Sequence, residues 1–261
     1  MPCLSCLNGS RCARAATMSA RDSRLELPAS QRASGITEAV ALARSGVVDV
    51  TILQAGSALE TLRDVVRQLG GERDSGPFQR IRDIRFDPGK THSIAESLAA
   101  HRDHTDGTFD ATPPQYFALQ YVQSDPHGGG VNTFKALGPI FERCPPELLA
   151  ALETAEIRFR RGDDSGAQHD FTGPMLSRRA SGGRLLRWRD DEQVAPEIVD
   201  GRGTPIAEAI GWLREQIRVA VGLSYLGEEA DIVIVSNDSV THGRTMLSPD
   251  SSRWMRRAWI A

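Results

Sequence analysis

The stretch His101-Arg102-Asp103-His104-Thr105-Asp106-Gly107-Thr108-Phe109 decides how the rest of this chain is to be understood. Side chains alternate along an extended segment, so His104 and Asp106 project from one face, two residues apart, and can grip a single ion. An imidazole nitrogen, a carboxylate oxygen and a second imidazole from elsewhere make the set that suits non-haem iron(II) and leaves coordination positions open. The pattern alone is weak. Six His and 34 acidic residues among 261 positions give roughly 0.8 His-x-Asp/Glu matches by chance. His101 and Asp103 form a rival pair, offset by three residues and therefore expected on the opposite face of the same strand.

The chain is long enough to bury a substantial core. We read it as an N-terminal disordered arm over residues 1–34, followed by one domain over residues 35–261. With 40% hydrophobic and 25% charged residues and a formal charge of -3, it has the composition of an ordinary globular protein. That balance argues against electrostatic capture of a polyanion, so no nucleic-acid partner is expected. No run approaches the ~20 apolar residues of a membrane span, and no membrane partner is expected either. Three of the four cysteines crowd at Cys3, Cys6 and Cys12, with Cys144 alone. A closed zinc site needs four ligands, and no fourth lies near the Cys3-x-x-Cys6 pair. The first seventeen residues lack the apolar core of about 7–15 residues that a secretory signal requires. They are expected to be a mobile leader, with Met18 as an alternative start, on a cytoplasmic protein with reduced thiols.

Hydrophobic periodicity predicts helices at 36–43, 59–69, 147–155 and 205–221, the last with Pro205 at its first position. Strands are expected at 47–53, 78–86, 116–122, 131–134, 157–160, 231–235 and 253–260. Ser181-Gly182-Gly183 suits a hairpin turn before Leu185. Many short strands with helices near the start and in insertions point to an α+β chain built on a jelly roll, whose mouth can hold a small ligand.

The second His is expected far away in sequence, and Asn237-Asp238-Ser239-Val240-Thr241-His242-Gly243-Arg244-Thr245 supplies His242 directly after an apolar strand. Four blocks in order then resemble the taurine dioxygenase and clavaminate synthase-like superfamily of iron(II)/2-oxoglutarate oxygenases. They are His104 to Phe109 followed by Pro113-Pro114, Gly129-Gly130-Val131-Asn132-Thr133-Phe134, Asn237 to Thr245, and Arg253-Trp254-Met255-Arg256-Arg257. They span about residues 100–260. The resemblance implies a cupin-like double-stranded β-helix with flanking helices. It implies that His104, Asp106 and His242 bind Fe(II), and that Arg253 holds the distal carboxylate of 2-oxoglutarate. A planar, permanently charged guanidinium suits that task. Arg257, four residues on and on the same strand face, is expected to assist the cosubstrate or meet an anionic group of the substrate. The family usually places Thr two positions after the Gly-Gly pair, where this chain has Asn132. Either Asn132 or, after a one-residue slip, Thr133 is left to contact 2-oxoglutarate.

The implied reaction uses O2 and 2-oxoglutarate to oxidise an unactivated C–H bond, releasing succinate and CO2. Hydroxylation, desaturation and ring formation all occur in the superfamily. An amino-acid-like or natural-product small molecule is the expected substrate class, with specificity in the loops at 162–174 and 190–204. Two other readings stay open at this point: a non-catalytic metal- or ligand-binding barrel, and a zinc hydrolase using the same three residues. His101, His92, His127 and His169 are expected to be flanking polar residues, with His169 a candidate for the mouth. Trp188 and Trp254 are expected in the core. Arginines 158, 160, 161, 187 and 189 are expected to form a solvated face, the competing reading being selection of an acidic substrate or a carrier protein. Oligomeric state is not legible in the sequence.

Overall fold

A computed structural model describes residues 28–70, 81–89, 93–162, 168–180, 182–191, 193–201 and 203–260. In chain order its first half contains β1 (Ser30–Ala33), α1 (Ile36–Arg44), β2 (Val50–Gln54), α2 (Leu59–Leu69), β3 (Arg82–Arg85), β4 (His101–His104), β5 (Tyr116–Gln123), β6 (Asn132–Ala136), α3 (Gly138–Glu142) and α4 (Pro146–Thr154). The second half adds β7 (Glu156–Gly162), β8 (Gln168–Gly173), β9 (Leu176–Arg178), β10 (Arg184–Leu186), β11 (Glu197–Asp200), α5 (Ile206–Val219), β12 (Leu223–Tyr225), β13 (Asp231–Ser236), β14 (Val240–Arg244) and β15 (Trp254–Ile260).

The near-continuous apolar run of β5 is explained by its place inside a six-stranded sheet, ordered β1-β2-β13-β5-β15-β3, with both faces covered. Phe117, Leu119 and Tyr121 point to one side, where they meet Phe134 and Val240 of a four-stranded sheet, ordered β12-β6-β14-β4. Tyr116 and Ala118 point to the other, beneath the Val40, Leu62, Val65, Val66 and Leu69 faces of α1 and α2. Gln120, the one polar residue inside the run, is buried on that outer side and donates to the carbonyls of Gly56 and Ala58 at 2.9 and 2.8 Å. Two sheets packed face to face form the cupin-like jelly roll, and the site lies between them.

A second core gathers α3, α4 and α5 against β7 and the β9–β10 hairpin. The buried stripe of α5, Ile206, Ala209, Ile210, Leu213 and Ile217, has the spacing that places one face of a helix against a partner.

Several expectations need correction. Ser30–Ala33 is not part of a free arm but pairs in parallel with β2, while residues 1–27, with Cys3, Cys6 and Cys12, lie outside the described residues. Pro205 caps α5 from outside it, and the helix ends at Val219 rather than 221. Residues 168–173 and 197–200, expected as loop, are strands of a three-stranded sheet ordered β11-β7-β8. Trp254 is not core: its ring is half-buried, lies 3.6 and 4.7 Å from the guanidinium groups of Arg85 and Arg256, and donates to Asp83 at 2.6 Å. Trp188 is buried as expected. Only residues 82–85 of the expected 78–86 strand are assigned as strand, and residues 71–80 lie outside the described residues.

Candidate active site

β14 runs antiparallel to β4, with His242 directly opposite His104. Antiparallel pairing thus brings together two residues far apart in sequence. Asp106, expected on the same strand as His104, lies beyond its end. The strand stops at His104, and Gly107, at φ +73°, opens a turn closed by a bond from the Asp110 amide to the Gly107 carbonyl at 2.9 Å. A β-carbon at Gly107 would come within 2.5 Å of Pro114, which ties the glycine to the Pro113-Pro114 pair. Gly107-Thr108-Phe109, the end of the segment read as extended, is therefore a turn.

Asp106 is instead aimed by Asn237, which is fully buried. The Asn237 side chain accepts from the Asp106 amide at 2.8 Å and donates to the carbonyls of Asp106 and Pro114 at 3.0 and 2.9 Å. The carboxylate itself takes two further donors: the Trp259 indole at 2.7 Å on Oδ2 and Arg257 at 3.2 Å on Oδ1. Burial works to raise the Asp106 carboxyl, but Arg257, His242, His104 and Trp259 outweigh it and hold the group below its ordinary value.

His104, Asp106 and His242 are all buried, and one ligand atom from each lies within 4.8 Å of the others. His104 Nδ1 lies 2.9 Å from the Arg102 carbonyl, which fixes its tautomer and leaves Nε2 for an ion. The buried Nδ1 of His242 has no hydrogen-bond partner. Burial first, and then neighbouring charges including Arg189, keep both imidazoles below their ordinary range and hence neutral. Two neutral imidazoles and one ionised carboxylate are the donor set that iron(II) takes.

His101, expected on the opposite face from His104, lies on the same side. Arg244 pairs with His101 and His242 with His104, so three steps on β4 oppose two on β14. Such a bulge cancels the odd spacing and turns both imidazoles to the same side. The His101 ring stacks on His104 at 3.9 Å, and its buried Nε2 has no hydrogen-bond partner. Asp103, its supposed partner, sits elsewhere, 2.8 Å from Lys135. Gly243 makes the bulge possible, since a β-carbon there would lie 2.8 Å from the His101 carbonyl. Of the other histidines, His127 is exposed 3.1 Å from Asp250, and His92 lies outside the described residues.

A cleft of about 420 Å³, counting its mouth, joins His104 and His242 to Asn132, Arg253 and Arg257. Arg253 is 6% exposed. A β-carbon at Gly130 would lie 3.0 Å from its Cδ and 2.5 Å from Leu247, so the second glycine of the Gly-Gly pair makes room for the guanidinium stem. Asn132 faces this cleft and hydrogen-bonds the buried Tyr121 hydroxyl, whose pKa burial pushes up to about 12. Thr133 faces away, 3.4 Å from Asp103.

A second cleft, of about 500 Å³ on the same count, is lined by His101, His104, Asp106, Phe109, Arg161 and Arg189, among others. Thr105, the middle residue of the motif, builds this wall. Its amide donates to the Trp188 carbonyl and its hydroxyl accepts from the Trp188 amide, both at 2.9 Å, and the hydroxyl donates to Leu186 at 2.9 Å. That clasp carries Arg189 to the cleft. The expected arginine face is thus divided. Arg158 and Arg160 are outside, paired with Asp170 and Glu197, and Arg187 is buried over Phe171 at 3.7 Å. Arg161 and Arg189 face the cavity.

Two neutral imidazoles, a carboxylate and a nearby buried arginine between jelly-roll sheets define a class: the non-haem iron oxygenases. The model of the taurine catabolism dioxygenase TauD, TfdA family matches residues 16–259, and the chain belongs to this family. It is a 2-oxoglutarate-dependent non-haem iron oxygenase, which removes the ground for the hydrolase and non-catalytic readings. Among solved structures it is similar to asparagine oxygenase in complex with Fe(II), 2S,3S-3-hydroxyasparagine and succinate, at 19% identity over 86% of this chain and 78% of that one, TM-score 0.65. It is also similar to the non-haem iron oxygenase OrfP in complex with Fe and α-ketoglutaric acid (14% identity, 87% and 79% covered, TM-score 0.66). A third is PvcB, an Fe, α-ketoglutarate-dependent oxygenase from an isonitrile synthetic pathway (17%, 90% and 87%, TM-score 0.61). No curated protein sequence matches the chain. Among the described residues no helix is long and apolar enough to cross a membrane.

Proposed function

We propose that this chain oxidises, by hydroxylation, an unactivated C–H bond of a small amino-acid-like molecule, with His104, Asp106 and His242 holding Fe(II). The two packed sheets are read as a double-stranded β-helix whose flanking helices brace it from outside. One observation carries the assignment: the three ligand atoms lie within 4.8 Å of one another, and His104 and His242 line one cleft with the buried Arg253. Iron(II) with 2-oxoglutarate supplies the oxidant from O2, yielding succinate and CO2.

The chain's own residues do the rest. Arg253 pairs the distal carboxylate of 2-oxoglutarate, a bidentate match that a buried guanidinium makes strongly. Asn132, not Thr133, supplies the amide donor beside it, since Asn132 lines that cleft and Thr133 meets Asp103 instead. Arg257 and Trp259 hold Asp106 ionised and oriented, and the Arg102 carbonyl does the same for His104. Asparagine and hydroxyarginine, named with the structural neighbours, support an amino-acid-like substrate.

The test is anaerobic addition of Fe(II) and 2-oxoglutarate, which should produce a weak visible charge-transfer band, followed by O2 and measurement of succinate. His104→Ala and Arg253→Ala should abolish or strongly weaken the band. Wild-type behaviour from both variants would overturn the assignment.

A further inference from the structure

The Arg253 cleft is lined by Arg244, Arg253 and Arg257, and no carboxylate is among its described lining residues. Arg257 is engaged with Asp106, and Arg244 donates to the carbonyls of Thr245, Ile94 and Ser97 at 3.1, 3.0 and 3.0 Å. Apart from the proposed metal ligands, one buried side-chain polar atom of this lining has no hydrogen bond: Nε2 of His101. The ring itself is firmly placed. It packs on His104 with centroids 3.9 Å apart and planes 26° apart. The bulge between β4 and β14 turns it to this side, and Gly243, which also lines the cleft, leaves room for the His101 backbone. His101 lines the cleft beside Phe109 as well, so it stands at the junction of the two, next to the proposed iron ligands.

A buried polar atom without a partner costs free energy. One held at a cleft wall by a bulge and a ring stack points to a partner that arrives with a ligand. A 2-oxo acid that chelates a metal through its keto oxygen and one oxygen of the near carboxylate leaves the second oxygen of that carboxylate outside the chelate. An imidazole can present an N–H at Nε2, and a donor to an anionic oxygen makes one of the stronger hydrogen bonds. Resting on the oxygenase reading above, we propose that His101 binds the cosubstrate, its Nε2–H donating to the near, metal-chelating carboxylate of 2-oxoglutarate while Arg253 holds the far one. The stack on His104 decides the end: His101 lies against a metal ligand, and the end of the cosubstrate that reaches the metal is the one it meets. This hydrogen bond serves the loaded protein and contributes nothing to the fold alone.

The experiment uses the full chain with saturating Fe(II) under anaerobic conditions, titrated with 2-oxoglutarate and, separately, with 2-oxopentanoate. The second ligand has the same chelating end and lacks the far carboxylate. The charge-transfer band gives the dissociation constants. His101→Phe keeps a flat ring against His104 and removes the donor, whereas His101→Gln sets an amide N–H near the place of Nε2. His101→Phe should raise both dissociation constants by roughly tenfold or more, and His101→Gln should recover part of the loss. Arg253→Ala should weaken 2-oxoglutarate far more than 2-oxopentanoate. Because Nε2 has no partner within the fold, the His101→Phe apoprotein should melt at or above the wild-type Tm, which a merely structural role would not give. Unchanged 2-oxoglutarate binding in His101→Phe, or a loss confined to 2-oxoglutarate, overturns the proposal. So does a wild type that binds 2-oxopentanoate no better than His101→Phe does, or a fall in Tm with no recovery of binding by His101→Gln. If 2-oxoglutarate gives no band with the wild type, the oxygenase reading fails and the role of His101 with it.

Discussion

Replacing Asn237 by alanine removes three hydrogen bonds at once, those to the Asp106 amide (2.8 Å), the Asp106 carbonyl (3.0 Å) and the Pro114 carbonyl (2.9 Å). Each buried bond contributes about 1 kcal/mol net, so the apoprotein should lose about 3 kcal/mol. For a domain of this size that lowers Tm by about 6–12 °C. The same change frees the backbone that aims the Asp106 carboxylate, and loss of such a support weakens metal binding by about 10–100-fold. Differential scanning fluorimetry of the apoprotein and anaerobic Fe(II) titration measure the two effects separately. Asn237→Asp is the informative companion: it keeps an acceptor for the Asp106 amide, loses both donated bonds, and sets a negative charge against two carbonyl oxygens. It should be no more stable than Asn237→Ala. If Asn237→Ala melts within about 2 °C of wild type and binds Fe(II) equally well, the reasoning that Asn237 positions the carboxylate is wrong. A large fall in Tm with unchanged iron affinity would mean that Asn237 only pins the Pro114 loop.

Gly130→Ala should raise the KM for 2-oxoglutarate by roughly tenfold, because its β-carbon would displace Leu247 and Arg253, whereas Gly128→Ala, at φ +74° with nothing within 4 Å, should cost only about 1 kcal/mol of stability. Steady-state kinetics and melting of the two variants separate crowding from backbone strain. Trp259→Phe removes the donor on Asp106 Oδ2 and lets the carboxyl rise, so on acidification Fe(II) should dissociate at a higher pH than in wild type; an unchanged pH midpoint would deny the indole this role. Asp125 is held well below the carboxylate range: burial opposes this, but bonds from Ser248, Ser251 and the His127 amide prevail. A depressed folded pKa contributes stability that is present above the unfolded value near 3.8 and is lost as pH falls through the folded one. The gap in Tm between wild type and Asp125→Asn should therefore be full at pH 6 and shrink below about pH 4, as read by melting across pH.

The sequence by itself determined much of this protein. The apolar stripe of α5, the solid apolar runs of β5 and β13, and the glycines and prolines between them are local features, readable because helix and strand periods are properties of the chain alone. His104, Asp106, His242 and Arg253 were legible as a set because family spacing records which distant residues must meet. What the sequence could not carry was anything dependent on register between strands. The bulge that swings His101 beside His104 exists only in the pairing of β4 with β14, so a correct rule about alternation led to the wrong face. Asn132 and Thr133 are neighbours in sequence, and only the sheet decides which enters the cleft. The Thr105 clasp, the Asn237 support and the division of the arginines into outer and inner sets all join segments separated by about 80 residues or more, or lie across a sheet from one another. Their contacts have no local signature, because hydrogen bonds and charge pairs between distant segments form only once the sheets have packed.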